Sequence, residues 1–115
     1  MSVKSNPPAL YLGEFELLVL LAILRLDDAA YGVTIRDALE RDTSREVALG
    51  AIYKTLGRLE DKGYLSSRLG DPTPERGGRA RRYFALTPLG LRTLRATHTA
   101  LTRLSEGLES VLEES

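Results

Sequence analysis

The stretch that decides the fold is GRARRYFALTPLG, residues 78–90. It begins as a glycine-flanked basic loop and continues as an alternating pattern from Tyr83 to Leu86, which is typical of a strand. Thr87 and Pro88 then predict a helix start, because threonine is a favoured N-cap and proline is favoured at the first helical position. A basic loop, a strand and a helix in succession are typical of the wing of a winged helix-turn-helix. The basic residues of the stretch are Arg79, Arg81 and Arg82.

Upstream of this stretch, hydrophobic spacing predicts three helices and a first strand. Gly63 is well placed to end the third helix, because glycine readily takes the left-handed conformation that follows a helix. Residues 70–78, rich in glycine and proline, predict the loop of a hairpin. The predicted helices are Leu12–Leu26, Tyr31–Arg41 and Leu49–Lys62, and the predicted strands are Tyr64–Leu69 and Ala80–Leu86.

The last predicted helix extends from Pro88 toward Glu113, and leucine recurs along it at heptad spacing. Such a seam favours a helix partner, although it could also pack on its own domain. The first helix is apolar almost all round, which also favours cover by a second chain. We therefore expect a homodimer, with the interface formed by Phe15, Leu18, Leu21, Leu94, Leu101, Leu104, Leu108 and Val111.

Together these elements predict a mainly α fold with a small β-hairpin, a winged helix-turn-helix with a long C-terminal dimerisation helix. We expect residues 1–11 to be a flexible lead-in, residues 12–86 to be a DNA-binding domain and residues 87–115 to be the dimerisation helix. At 115 residues the chain is sufficient for one modest core.

The charge is unevenly distributed, although the formal net charge is zero. Residues 1–46 have a net charge of −3, residues 47–103 of +7 and residues 104–115 of −4. An approaching polyanion responds to the local field rather than the total. The middle segment is therefore suited to nucleic acid, with a merely solvated basic surface as the alternative.

In a helix-turn-helix the second helix of the pair enters the major groove, and its first residues meet base edges. Here that is the helix beginning at Leu49. Gly50 and Ala51 are small enough for close approach to the duplex, while Lys54 and Arg58 can reach phosphates or guanine edges. Thr55, predicted to point outward, can contact a phosphate or a thymine methyl group.

Within the wing, Arg79 and Arg81 alternate along the strand edge and should point to one side, with Arg82 on the other. Arginine is favoured electrostatically in a narrow minor groove. We therefore expect Arg79 and Arg81 to contact DNA, with a smaller share for Arg82. The alternative for the basic side chains is solvation without a partner.

Several classes of protein are excluded or disfavoured. The chain has no cysteine and one histidine, His98, so no thiolate site exists and a zinc site is improbable. No cofactor or metal is expected, and no nucleophile–base arrangement indicates an enzyme. The apolar run from Phe15 to Leu26 is too short for a membrane span and lacks a cleavage pattern, so we expect a cytoplasmic protein.

Four segments in order resemble the PadR family of bacterial transcriptional regulators. LGEFELLVLLAIL (12–24) and YGVTIRDALE (31–40) are similar to its first two helices. LGAIYKTLGRLEDKGYLSS (49–67) is similar to its recognition helix and first wing strand, and residues 78–90 resemble its wing and the start of its fourth helix.

This resemblance implies a cytoplasmic homodimer, usually a repressor, that binds a pseudo-palindromic operator in double-stranded DNA. It implies that Tyr53, Lys54 and the wing arginines face DNA, and that one C-terminal helix mediates dimerisation. Two departures are evident: Ala48 replaces the frequent serine or threonine cap of the recognition helix, and no tryptophan is present. The family that the chain resembles includes members that take aromatic or cationic drugs into a pocket at the dimer interface, so the sequence leaves a small-molecule effector open.

Two other functional hypotheses stay beside DNA-binding regulation. A winged helix can serve as a protein-interaction module without DNA, although such modules usually lose the positive wing. An enzyme is the third, and it lacks support from the residues.

Overall fold

The computed structural model describes residues 12–70 and 80–113. Among them the helical N-terminal half is followed by a hairpin and a C-terminal helical region. Its elements are α1 (Glu14–Leu26), α2 (Gly32–Thr43), α3 (Leu49–Asp61), β1 (Leu65–Leu69), β2 (Arg82–Leu86), α4 (Pro88–Ser105) and α5 (Glu109–Leu112). The predicted order of three helices, a hairpin and a further helix is confirmed, with boundaries shifted by at most two residues except at the end of the last helix.

The core lies where α1, α2 and α3 meet and where the hairpin covers them. Its largest fully buried side chains come from all three helices. The short chain therefore packs around a single hydrophobic core. These side chains are Val19, Leu20, Ile35, Ile52, Leu56 and Leu59.

The two strands pair antiparallel, with Ser67 opposite Phe84 and Arg68 opposite Tyr83. A third segment joins this sheet, because Tyr31 forms a bridge with Tyr83 and the Phe84 N–H donates to the Ala30 carbonyl at 2.9 Å. Phe84 is buried on the core side. The bridge fastens the hairpin to the chain just ahead of α2.

Local signals explain the helix ends around the hairpin. Gly63 has φ of +83°, in the left-handed region that the sequence predicts after α3. The Thr87 hydroxyl accepts a hydrogen bond from the Gly90 N–H at 3.0 Å and donates to the Gly63 carbonyl at 2.6 Å. One side chain therefore caps α4 and ties it to the end of α3.

The C-terminal region departs from the prediction of one helix reaching Glu113. The helix α4 ends at Ser105, and Gly107 has φ of +84°, a left-handed turn that interrupts the helix before the short α5. Glycine at this position allows the break. No helix among the described residues combines the length and apolarity needed to cross a membrane.

Candidate nucleic-acid interface

The outward face of α3 contains small and basic residues. Gly50 and Ala51 are exposed near its start, and an added side chain at Gly50 would find open space. Lys54, one turn later, is also exposed. The prediction that these three residues face away from the core is confirmed. The start of the helix therefore has small side chains that leave its backbone accessible, and the lysine follows one turn later.

Thr55 is a correction. Its side chain is 2% exposed, so it lies in the core and has no outward face for a phosphate or a thymine methyl group. The spacing in the sequence already contained this signal, because Thr55 stands three residues after the buried Ile52 and four before the buried Leu59. Its hydroxyl accepts a hydrogen bond from Arg58 at 3.4 Å instead.

Tyr53 lies half exposed on α3 and packs against the first residue of α2. A Cβ at Gly32 would overlap the Tyr53 hydroxyl and come within 2.6 Å of the ring carbon that bears it. The absence of a side chain at Gly32 therefore allows the ring to lie there. The phenol stands between the two helices of the helix-turn-helix.

Ion pairs join the C-terminal end of α3 to α1. Glu16, with its side chain 13% exposed, accepts a hydrogen bond from Lys62 Nζ at 2.9 Å and lies 3.7 Å from Arg58 Nε. Burial alone would raise the pKa of Glu16. The hydrogen bonds from Lys62 and the Gly13 N–H, with the charges of Lys62 and Arg58, outweigh it and hold that pKa below its ordinary value. Arg58 thus has a carboxylate partner that sequence reasoning missed.

The two described wing arginines lie on opposite faces of the hairpin, as the strand alternation predicts. Arg81 Cζ stands 4.6 Å from the centroid of the Tyr31 ring. Arg82 is exposed and donates from Nη1 to the Ser67 hydroxyl at 2.9 Å, and that hydroxyl donates to Glu60 at 2.7 Å. Arg79 lies outside the described residues, so its predicted role remains a prediction.

The predicted dimer residues divide into three groups. Leu94 is 3% exposed and belongs to the core of its own domain, so its assignment to the interface is wrong. Phe15 and Leu18 are half-buried against the same core. The remaining residues are exposed: Leu21, Leu101, Leu104, Leu108 and Val111.

Two exposed apolar residues missed in the sequence extend this last group. Leu24 is 46% exposed on α1, and Leu112 is 63% exposed on α5. Leu21 and Leu24 border an open groove between α1 and α4 that His98 also lines. In the part of the chain that the structure describes, no cluster of three acidic or histidine side chains could hold a metal ion.

Comparison with known proteins identifies the family to which this sequence is similar. The model of the transcriptional regulator PadR-like family matches residues 20–96. No curated protein sequence matches the chain. The matched segment includes α2, α3 and the hairpin.

Solved structures extend the likeness to most of the chain. A PadR family transcriptional regulator from Eggerthella lenta DSM 2243 is 29% identical, with 89% of this chain and 88% of that chain covered and a TM-score of 0.63. A PadR-like regulator from Bacillus cereus strain ATCC 14579 is 22% identical, covering 88% and 93%, with a TM-score of 0.68. A PadR family regulator from Clostridium difficile R20291 is 24% identical, covering 87% and 99%, also with a TM-score of 0.68. The predicted winged-helix architecture is confirmed.

Proposed function

Since the chain belongs to the PadR-like family of transcriptional regulators and is a DNA-binding regulator of that kind, we propose that it acts as a homodimeric repressor on a pseudo-palindromic operator. The single observation that supports this most is the outward face of α3, where Gly50, Ala51 and Lys54 are exposed together. A low, basic helix surface suits insertion into the major groove.

The residue roles follow from position and chemistry. Gly50 and Ala51 allow close approach of the α3 backbone, and Lys54 contacts a phosphate or a guanine edge. The Tyr53 hydroxyl donates to a phosphate. Arg58 has a smaller role than the sequence indicates, because Glu16 already holds it.

For the wing we propose minor-groove or phosphate contacts by Arg79 and Arg81, with a lesser share for Arg82. Arg82 is already hydrogen-bonded to Ser67 on the other face of the hairpin. Arg81 is supported by its exposure and by its place above Tyr31. A charge of +7 over residues 47–103 would strengthen all these contacts at low salt.

Dimerisation would bury the exposed apolar residues of the C-terminal region. Several large apolar side chains are exposed there, including Leu104 at 78%, and their contact with water is unfavourable in free energy. Leu21 and Leu24 on α1 offer a second apolar surface beside α4. We propose that the two surfaces meet across the dimer and set the distance between the recognition helices.

An effector, if one acts on this protein, would enter the groove between α1 and α4. The described lining there consists of Leu21, Leu24, Leu91, Leu94, Arg95, His98 and Thr99, with no phenylalanine, tyrosine or tryptophan ring to stack on an aromatic drug. Ligand response is therefore a separate question from DNA binding. A thermal-shift screen, repeated with Leu24→Trp to narrow the groove, would answer it.

The test of the proposed function is selection of bound duplexes from a random library by the purified protein at moderate salt. We expect an inverted repeat with half-sites about one helical turn apart. Affinity for the selected site should fall with salt at a log–log slope of roughly −5 to −7, for about 6–8 phosphates neutralised by a dimer.

Two variants separate the residue roles. Lys54→Ala should change the preference among related sites if Lys54 meets bases, whereas Arg81→Ala should weaken all sequences alike. A folded dimer with no enrichment and a flat salt response would contradict the proposal and favour an interaction module. Transcription from a promoter overlapping the selected site then distinguishes repression from activation.

A further inference from the structure

The outer face of the hairpin, opposite the core, presents two adjacent tyrosine rings with an arginine at each end of the pair. Tyr31 and Tyr83 meet edge to face, with ring centroids 5.4 Å apart and planes inclined at 68°. Arg81 Cζ lies 4.6 Å from the Tyr31 centroid, and Arg68 Cζ lies 4.8 Å from the Tyr83 centroid. Each ring therefore holds one guanidinium. We call these four residues the stacked row.

Backbone pairing produces the stacked row. The bridge sets Tyr31 beside Tyr83, and the hairpin register sets Tyr83 opposite Arg68. Gly70 makes room for the Tyr83 ring, since a Cβ there would stand 2.7 Å from Cε1. Three segments distant in sequence are needed to assemble the row.

Core packing does not account for the stacked row. Phe84, the neighbour of Tyr83 in β2, is 5% exposed and fills the core from the opposite face. Arg68 and Arg81 are both exposed, and the two tyrosines are only half-buried. Among the described residues no carboxylate forms an ion pair with Arg68, although Asp27 and Asp28 border the same cleft. The row is therefore a cationic surface supported by rings.

The stacked row adjoins Tyr53, on the helix α3 that we propose contacts DNA. Tyr31 directly precedes Gly32, and Gly32 is the residue against which Tyr53 packs. A duplex seated on Tyr53 and Lys54 would thus have the stacked row as its neighbour on the wing side. A guanidinium held over a ring keeps its N–H groups for bidentate phosphate binding and loses less freedom on binding.

Resting on the proposed function, we propose that Tyr31 and Tyr83 are positioning residues that hold Arg81 and Arg68 toward the phosphates of bound DNA. Arg68 is thereby a further DNA-contacting residue, one that the sequence pattern did not single out. The tyrosines act through the arginines and need not touch the duplex.

A double-mutant cycle tests the positioning role on the selected operator. Tyr31→Leu should lower affinity about twofold to fivefold, the range of an exposed cation–π contact. If Tyr31 acts through Arg81, Tyr31→Leu should add little to Arg81→Ala. Tyr31→Phe, which keeps the ring, should restore affinity to within about twofold of the wild type. Full additivity of Tyr31→Leu and Arg81→Ala, or no rescue by phenylalanine, would overturn the positioning role.

Arg68 is tested by its salt dependence. Arg68→Ala should weaken binding to all duplexes about threefold to tenfold. It should also make the slope of log affinity against log salt less negative by about two, because the dimer loses one phosphate contact for each protomer. Arg68→Lys, which keeps the charge without the planar fork, should be intermediate. Arg36→Ala, which removes a partly exposed α2 arginine already paired with Asp37, is the matched control and should leave the slope unchanged.

The outcomes separate the inference from the function on which it rests. A wild-type protein that binds no duplex overturns both. If the wild type selects an operator and Arg68→Ala shows the same salt dependence of DNA affinity as the wild type, only the inference about Arg68 is overturned. Thermal unfolding of every variant keeps a folding defect from being taken for a binding defect, and Tyr31→Phe remains informative if Tyr31→Leu fails to fold.

Discussion

Gly90 and Gly57 are two helical glycines with opposite surroundings. A Cβ at Gly90 would meet the Tyr64 backbone, with the carbonyl carbon at 2.9 Å, whereas a Cβ at Gly57 would meet nothing within 4 Å. The first glycine lets α4 lie directly on the chain between α3 and β1. The second has no packing reason that the described residues reveal.

We therefore expect opposite effects of alanine at the two positions. Gly90→Ala should destabilise the protein by about 1–3 kcal/mol, because backbone atoms must move apart. Gly57→Ala should stabilise it by roughly 0.5–1 kcal/mol, because alanine costs less entropy in a helix. Urea unfolding of both variants measures the difference, and a stable Gly90→Ala would show that α4 can shift without cost.

Glu16 gives the fold a predicted acid sensitivity. Its pKa is lowered in the folded state from 4.5, so the ionised form stabilises the protein. That contribution is complete above the unfolded pKa and is lost as the pH falls through the lower folded value. Because the partners Lys62 and Arg58 are substantially exposed, the contribution should stay within about 1 kcal/mol.

Glu16→Gln should accordingly be less stable than the wild type at pH 7 and equal to it near pH 2. The control is Glu14→Gln, which removes another carboxylate from the first turn of α1 and so has a similar effect on the helix dipole. Unfolding free energies across this pH range provide the measurement. A constant gap between Glu16→Gln and the wild type at every pH would contradict the assignment.

At the scale of elements, α3 begins without a side-chain cap. Ala48 has the extended backbone of an N-cap, with φ of −69° and ψ of 134°, but its side chain has no oxygen to accept from the first N–H groups. The absence of a cap that the sequence indicates is thus confirmed. By contrast, Thr87 caps α4 at 3.0 Å.

Ala48→Ser should therefore stabilise the protein by about 0.5–1 kcal/mol, because its hydroxyl can accept from an N–H in the first turn of α3. Ala48→Val, which adds bulk without an acceptor, is the control and should give no gain. Thermal unfolding compares the two. Equal melting temperatures for serine and valine would mean that the start of α3 is already satisfied by other means.

At the scale of the whole molecule, charge and apolar surface are separated. The basic middle segment contains α3 and the wing, while the C-terminal region combines exposed leucines with four glutamates. Binding to DNA and pairing of chains would thus use different surfaces. Substitutions at one surface should leave the other intact.

Leu104→Glu should give a folded monomer, because Leu104 is 78% exposed and contributes little to its own core. Operator affinity should fall at least tenfold, since a monomer reaches only one half-site. Leu69→Glu, which places the same charge at an exposed leucine of the hairpin, should remain dimeric. Sedimentation of both variants measures their oligomeric state. A dimeric Leu104→Glu would show that the interface does not include Leu104.

Much of the fold was predictable because its signals are local. Helical spacing defines α1, α2 and α3, Gly63 ends α3, and Thr87 with Pro88 begins α4. The outward residues Gly50, Ala51 and Lys54 follow from the same spacing. The prediction that Thr55 faces outward is wrong, although its spacing from Ile52 and Leu59 places it inward.

The sequence by itself determined the order of elements, the basic segment and the face of α3, because each depends on neighbours three or four residues apart or on composition. Only the tertiary structure decided that Leu94 is core, that Glu16 holds Arg58, and that Arg68 stacks in a row with Tyr83. These contacts join residues far apart in the chain. Their geometry depends on how the helices and strands pack together, a property that no local spacing encodes.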